Sequence, residues 1–241
     1  MKYGLFGDIH SNLEALEAVL EDMFAKGVEQ MICLGDVVGY NANPSECLKM
    51  VRSLKCPIVK GNHDEEASED RDISHFNPLA LESLNYSRKQ LSSEQKTFLR
   101  ALPLQLSIAN FTVVHASLDV PARWDYIFTV DEAARSFTYQ RTQVCFCGHT
   151  HVPKVFIQDG EKIFDFPFEK TELCVEKKYL FNVGSVGQPR DGDWRTAYAL
   201  FDTELNTIEL QRVPYEVVKT QQKILNAGLP TRLAERLANA V

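Results

Sequence analysis

Short apolar runs alternate with longer stretches of helical spacing through the first third of the chain. Tyr3-Gly4-Leu5-Phe6 is an apolar run of the kind that fills a buried sheet, and the polar turn Gly7-Asp8-Ile9-His10 follows it. Beyond Asn12, apolar residues at 13, 16, 19, 20 and 24 form one stripe, predicting a helix that closes at Gly27. Residues 30–34 read as a second strand leading into Gly35-Asp36. Residues 44–54 read as a helix with Pro44 at its first position. A third strand at 57–60 leads into Gly61-Asn62-His63-Asp64. This alternation favours stacked βα units over an all-β plan.

Residues 65–101 are rich in charge and predict helix throughout, an insert or rim whose last helix is capped by Ser92 or Ser93 and stops before Pro103. Strand patterns return at 104–108 and 111–114, joined through Ala109-Asn110, and the second runs into His115. Residues 144–147 form another apolar run, ending in Gly148-His149-Thr150-His151. Further strands are expected near 153–158, 161–166, 179–183, 196–202 and 207–213, and their adjacency predicts an antiparallel second half. Two tail helices, about 216–227 and 230–240, are separated by Gly228 and opened by Pro230. No internal repeat or low-complexity segment interrupts this plan.

With 241 residues, one domain with appendages fits better than two equal domains. No window approaches the roughly 18 apolar residues of a membrane span. The apolar start breaks at Asp8, too early for a signal-peptide core, so the chain reads as cytoplasmic. The six cysteines include no C-x-x-C pair, and Cys33, Cys145 and Cys147 lie inside strand-like runs. They read as buried reduced thiols. The formal charge of −7 argues against an extended nucleic-acid surface but leaves room for a small anionic substrate beside bound cations. A homo-oligomer is left open.

Five turns share one description, polar side chains at the C-terminal end of an apolar strand: Asp8 with His10, Asp36, Asn62-His63-Asp64, His115, and His149 with His151. In open α/β sheets ligands sit outside these strand ends, so all five can converge on one site. Asp8 and His10, two apart, would point to one side in extended backbone. Taken singly each turn has a plainer explanation: Asp36 as a helix cap, His115 as a satisfied core histidine. Five together, holding five of the six histidines, point to metal; His75 alone stands apart, as a surface or helix residue. Mixed carboxylate, imidazole and amide ligands suit Mn²⁺, Fe, Zn²⁺ or Ni²⁺ better than Mg²⁺, and the lack of thiolates argues against a structural zinc cluster.

These blocks resemble the five signature motifs of the calcineurin-like metallophosphoesterases, over Lys2 to about Asp202, and are most similar to small bacterial and archaeal phosphodiesterase-type members. The resemblance implies an α/β fold, a four-layer α/β/β/α sandwich of two mixed sheets. The main domain would span 1–204 with its helical insert, and 205–241 would add a strand and two helices packed on it. It also implies two divalent metal ions, manganese foremost: Asp8, His10 and His151 at one, Asn62, His115 and His149 at the other, and Asp36 bridging both. A hydroxide held between them would attack phosphorus in line. His63 would stabilise the transition state or protonate the leaving oxygen, with Asp64 orienting its ring.

The expected activity is hydrolysis of phosphodiester or pyrophosphate-type small molecules such as nucleotides. Alternatives are a phosphomonoesterase, a dinucleoside-polyphosphate hydrolase, or a non-catalytic interaction module on the same fold. The protein serine/threonine phosphatases carry Asp-Arg-Gly after the second block, where this chain has Val38-Gly39-Tyr40-Asn41, which disfavours protein phosphatase activity. The substrate pocket must then be built otherwise. Asn12 and Tyr40 lie near the metal turns. The stretch 182–190 is either a tight turn or a strap that offers Arg190 to a second phosphate. Trp124, Tyr126 and Phe128 would pack at the core or rim or, with less weight, stack on a nucleobase.

Overall fold

The computed structural model describes residues 1–72 and 76–241. His75 and its expected surface or helix placement lie outside them. The first half runs through β1 (Lys2–Phe6), α1 (Leu13–Ala25), β2 (Gln30–Cys33), α2 (Pro44–Ser53), α3 (Asn62–Ser68), α4 (Pro78–Gln90), α5 (Ser93–Ala101), β3 (Gln105–Ile108) and β4 (Phe111–Val114). After α6 (Val130–Tyr139) come β5 (Val144–Cys147), β6 (Lys154–Asp159), β7 (Lys162–Pro167), β8 (Lys170–Glu172), β9 (Lys178–Asn182), β10 (Thr196–Asp202) and β11 (Thr207–Val213). The chain closes with α7 (Val217–Asn226) and α8 (Thr231–Asn239).

Two mixed sheets result. The first has the order β2-β1-β10-β11-β8 and the second β3-β4-β5-β9-β6-β7. Among the described residues the parallel strand pairs are β1–β2, β4–β5 and β5–β9. The strands' period-2 alternation sends Leu5, Phe146 and Phe181 into a core between the sheets. Their neighbours Phe6, Cys145 and Leu180 go to the outer faces, where α1 and α2 cover the first sheet and α6 the second. Both faces are therefore buried, which is why these strands read as unbroken apolar runs. The architecture is the expected α/β/β/α sandwich.

Several local expectations are corrected. Residues 57–60 form no strand but one parallel bridge, Cys33 to Ile58. Pro57 has no N–H to extend the ladder, and Lys60 N turns to Pro103 O at 2.8 Å. The second half is not wholly antiparallel, because β9 runs beside β5 in the same direction. Helix in the insert is broken at the described residues 69–72 and 76–77. All six thiols are free, but Cys174 is exposed and Cys56 half-buried. Among the described residues no helix is long and apolar enough to cross a membrane.

The tail helices pack on their own chain. Lys219 and Lys223 of α7 lie 3.2 and 2.5 Å from Glu14 of α1, whose side chain is almost wholly buried. Leu233, Ala234 and Leu237 of α8 share an apolar cluster with Tyr40 and Ala80.

Candidate metal centre

The strand ends do converge, though not in the manner that extended backbone predicts. β1 ends at Phe6, and beyond it Asp8 (φ 49°), His10 (φ 46°) and Ser11 (φ 59°) are all left-handed, as are Asp36 (50°), His149 (69°) and His151 (62°). Such residues cost about 1–2 kcal/mol each without a compensating frame. Main-chain bonds supply the frame: Asp8 N to Gly35 O (3.0 Å), His10 N to Asp36 O (2.9 Å) and Ser11 N to Val37 O (2.9 Å) extend the β1–β2 ladder past its formal end. Close approach also requires glycine beside both carboxylates. A Cβ on Gly61 would fall 2.0 Å from Asp36 Oδ1, and one on Gly148 would fall 2.2 Å from Asp8 Oδ2.

Four imidazoles are anchored alike. His10 Nδ1 donates to Val38 O (3.1 Å), His115 Nδ1 to Leu34 O (2.8 Å), His151 Nδ1 to Gln188 O (2.7 Å) and His149 Nε2 to Trp124 O (2.8 Å). A carbonyl only accepts, so each outer nitrogen carries a proton, and in the neutral ring the inner nitrogen presents a lone pair. These inner nitrogens face one another, His10 Nε2 to His151 Nε2 at 3.0 Å and His115 Nε2 to His149 Nδ1 at 3.2 Å.

Asp8 Oδ1 lies 3.2 Å from His151 Nε2 and 3.7 Å from His10 Nε2. Asp36 Oδ2 lies 3.6 Å from His10 Nε2 and 3.4 Å from His115 Nε2. The other oxygens accept from main chain: Asp8 Oδ2 from His149 N and Asp36 Oδ1 from His63 N. Asp8 Oδ1 and Asn62 Oδ1 are buried with no hydrogen-bond partner among the described residues.

Burial, with His115 nearby, lowers the His149 pKa to about 4; burial and Arg190 lower His151 to about 3. Burial opposes protonation of His115 too, but Asp36 outweighs it and raises that pKa to about 10. A carboxylate that draws a proton onto an imidazole neighbour of this kind would draw a divalent cation in its place. Lone pairs, orphaned oxygens and carboxylates crowded into one buried space fit such cations. The groups Asp8–His10–His151, His10–Asp36–His63 and Asp36–His115–His149 each bring three donor atoms within 4.8 Å of one another.

The remaining candidates divide. His63 is buried beside this space, its ring 4.8 Å from His10 and its Nδ1 without a partner among the described residues. Asp64 does not orient that ring. Its Oδ1 accepts from Val37 N (2.9 Å) and Val38 N (3.3 Å), and its Oδ2 from Gly61 N (3.2 Å), so this carboxylate secures the loops. Asn12, expected at the substrate, is fully buried instead. It caps α1 through Ala15 N and donates Nδ2 to Gly187 O at 3.0 Å. The Tyr40 ring packs against His10 (4.7 Å) and His63 (4.6 Å). Arg190 sets its guanidinium 5.7 Å from that ring and donates to Gln188 Oε1.

The strap at 184–188 passes directly over the Asp8 loop. Val186 N donates to Gly7 O and Gly187 N to Asp8 O. Trp124 supplies the carbonyl under His149. Tyr126 stacks on the His149 ring at 4.1 Å and Phe128 on Tyr126 at 5.4 Å, both about half exposed. Sequence reasoning passed over Asn41, whose Nδ2 holds His10 O at 2.7 Å, and Ser185, whose hydroxyl holds Asp8 O at 2.9 Å. Polar residues beside Tyr40 and between the strap glycines were the available signal.

Comparison with known proteins agrees with this geometry. The model of the calcineurin-like phosphoesterase superfamily domain matches residues 1–206. The chain belongs to this family. As a calcineurin-like phosphoesterase it is a hydrolase of phosphoester bonds, and its family is metal-dependent. An uncharacterized protein of Methanocaldococcus jannaschii is 40% identical over 237 residues, 97% of this chain and 96% of that protein. The crystal structure of a metallophosphoesterase from Sphaerobacter thermophilus superposes with a TM-score of 0.90 at 37% identity, covering 100% of this chain and 99% of that one. A symmetrical bis(5'-nucleosyl)-tetraphosphatase of Psychromonas ingrahamii is 31% identical over 119 residues, 47% of this chain and 43% of that protein.

Proposed function

We propose that this phosphoesterase cleaves phosphodiester or pyrophosphate-type bonds in small, nucleotide-like substrates by in-line attack, using two divalent transition-metal ions, manganese foremost. The reading rests on one observation: two pairs of inner imidazole nitrogens, 3.0 and 3.2 Å apart, are aimed at each other beside two buried carboxylates. Asp8, His10 and His151 would hold one ion, and Asn62, His115 and His149 the other. Asp36, close to nitrogens of both sets, would serve both. When bound, the ions supply charge neutralisation and a water made nucleophilic near neutral pH.

The protein's own contribution is rigidity and a proton. The carbonyl under each imidazole keeps its tautomer and angle fixed, so the donors need no rearrangement during reaction. His63, buried with its ring 4.8 Å from that of His10, would pass a proton to the leaving oxygen. Tyr40, packed on His10 and His63, and Arg190 beside its ring would touch substrate. The partial match to a symmetrical bis(5'-nucleosyl)-tetraphosphatase favours a second reading, a dinucleoside-polyphosphate hydrolase.

Metal analysis paired with hydrolysis assays tests the proposal. About two equivalents of transition metal per chain are expected, with Mn²⁺-stimulated cleavage of bis-p-nitrophenyl phosphate exceeding that of p-nitrophenyl phosphate. A preparation with no tightly bound transition metal and no stimulated cleavage would indicate a non-catalytic module on the same fold.

A further inference from the structure

Two guanidinium groups from distant parts of the chain meet at one ring. Arg190, on the strap after β9, and Arg236, on α8, place their guanidinium carbons 5.7 and 5.8 Å from the centre of the Tyr40 ring. That ring is packed against His10 and His63. The pair therefore stands one aromatic ring outside the candidate metal centre. Arg52, Arg71, Arg123, Arg195 and Arg212 each have a carboxylate within 4.0 Å. Among the described residues, Arg190 and Arg236 have no Asp or Glu side chain at that range, in a chain whose acids outnumber its bases 33 to 26.

Their existing bonds leave most of their donors open. Arg190 donates one Nη to Gln188 Oε1, and its Nε is buried without a partner among the described residues. Arg236 donates Nε to the main-chain oxygen of Val241. Burial, reinforced by the Arg190 charge, lowers the Arg236 pKa from its ordinary value, so the two cations repel. Apolar packing of Leu233 and Leu237, with a bond from Gly192 N to Ala240 O at 3.1 Å, seats α8 regardless of that charge. Two guanidinium groups that share one ring in a half-buried position, with no Asp or Glu side chain beside them among the described residues, are complementary to an anion, and the planar fork of arginine matches phosphate oxygens.

We propose that Arg190 and Arg236 form an anion subsite that grips a second phosphate group of the substrate, so that α8 selects linear polyphosphate or diphosphate-bridged compounds over single phosphoesters. The inference rests on phosphoester hydrolysis at the neighbouring centre and adds the substrate class to it.

Calorimetric titration of the full-length, metal-loaded protein with orthophosphate and with an imido-linked, non-hydrolysable tripolyphosphate tests it. Contacts to the metal centre are common to both titrants and divide out of the affinity ratio. Wild-type protein is expected to bind the tripolyphosphate at least tenfold tighter, which corresponds to about 1.4 kcal/mol. Arg190→Gln and Arg236→Gln should each reduce that ratio at least fivefold. Arg135→Gln, which removes an exposed charge from α6, should leave it unaltered.

Arg236→Lys keeps the charge without the fork and, should Arg236→Gln unseat α8 and lower the melting temperature, carries the test with a reduction of at least threefold. A wild-type ratio near one, a ratio insensitive to these substitutions, or one equally sensitive to Arg135→Gln overturns the subsite. Cleavage of bis-p-nitrophenyl phosphate by the same preparations keeps the two proposals apart. Its absence with tripolyphosphate binding intact sinks the hydrolytic reading alone, and the converse sinks the subsite alone.

Discussion

Gly187→Ala should disable the candidate metal centre without altering any side chain that faces it. Gly187 has no left-handed φ, so alanine is allowed by its backbone, and the effect is steric. An added Cβ would fall 1.8 Å from Ile9 O and 2.5 Å from Ile9 C, both main-chain atoms. Restoring even a tight 3.0 Å contact requires the strap and the Asp8 loop to part by 1.2 Å, the difference between 3.0 and 1.8. That movement carries the Gly187 N to Asp8 O bond from 2.8 Å to as much as 4.0 Å, outside hydrogen-bonding range.

Three further bonds cross the same seam: Val186 N to Gly7 O, Ser185 Oγ to Asp8 O and Asn12 Nδ2 to Gly187 O. At about 1 kcal/mol each, partial loss of the four costs roughly 2–4 kcal/mol, the scale of overpacking in a tight interior. For a chain of this size that is a fall in melting temperature of roughly 5–15 °C. Because an ångström of misplacement can cost about 100-fold in rate, kcat/KM for bis-p-nitrophenyl phosphate should drop by that order at temperatures where the variant is folded. Scanning calorimetry, metal content and steady-state kinetics read the three effects. Gly160→Ala, at an open left-handed turn between β6 and β7, is the control that carries backbone strain alone. A Gly187→Ala protein melting within 2 °C of wild type and turning over within about threefold would refute the reasoning, which expects the larger losses given above.

Three other expectations follow from the same geometry. His63→Ala should retain metal content and lose turnover by about 100-fold or more on substrates with poor, alkyl-type leaving groups, and an unchanged turnover number there would reject its role as proton donor. Asp64→Asn should lower stability by about 1–3 kcal/mol through its three main-chain partners. In calorimetry that loss should be the same with or without His63→Ala, whereas coupling between the two would restore Asp64 as the orienting group. At Glu14, burial raises the carboxyl, but Lys223 and Lys219 outweigh it and hold it below its ordinary value of 4.5. A depressed folded-state pKa stabilises above the unfolded value and loses that contribution as pH falls. Wild type should therefore outmelt Glu14→Gln by several degrees at pH 7, and the gap should shrink below about pH 4.5; a gap that widens in acid contradicts the pairing.

The five polar turns were legible because each combines an apolar run with a residue type that strand ends seldom need. Less legible was what lies between elements far apart in sequence. Helix α6 carries Thr129 and Glu132 in a capping box and Ala133 and Phe137 one turn apart, a local signature within reach of the sequence. Strand β8 has three residues and gains its identity only by pairing with β11. The parallel placement of β9 beside β5, and the return of β10 to β1, depend on sheet contacts that no local pattern records. Arg236 was hidden for the same reason. On the sequence it is one charge on an amphipathic tail helix, and only the packing of α8 brings it to Tyr40.

The centre is shaped by main chain more than by the side chains around it. Hydrogen bonds between strand-end loops continue the ladders beyond both sheets: the Asp8 loop to the Asp36 loop, the strap to the Asp8 loop, Gly148 N to His115 O and Arg190 N to His151 O. Carbonyls from Leu34, Val38, Trp124 and Gln188 then set the imidazole tautomers. None of these four carbonyls depends on the side chain of the residue that offers it. Rim positions such as Tyr40, Tyr126, Phe128 and Arg190 can therefore be exchanged without displacing a candidate ligand, provided their backbone conformations are kept. For Tyr40 that condition is a left-handed φ of 54°, which asparagine or glycine would meet more readily than a branched residue. Substrate preference is thus free to change at the rim while the chemistry beneath it stays fixed. That separation accounts for a chain carrying the five polar turns intact while Val38-Gly39-Tyr40-Asn41 stands where the protein phosphatases have Asp-Arg-Gly.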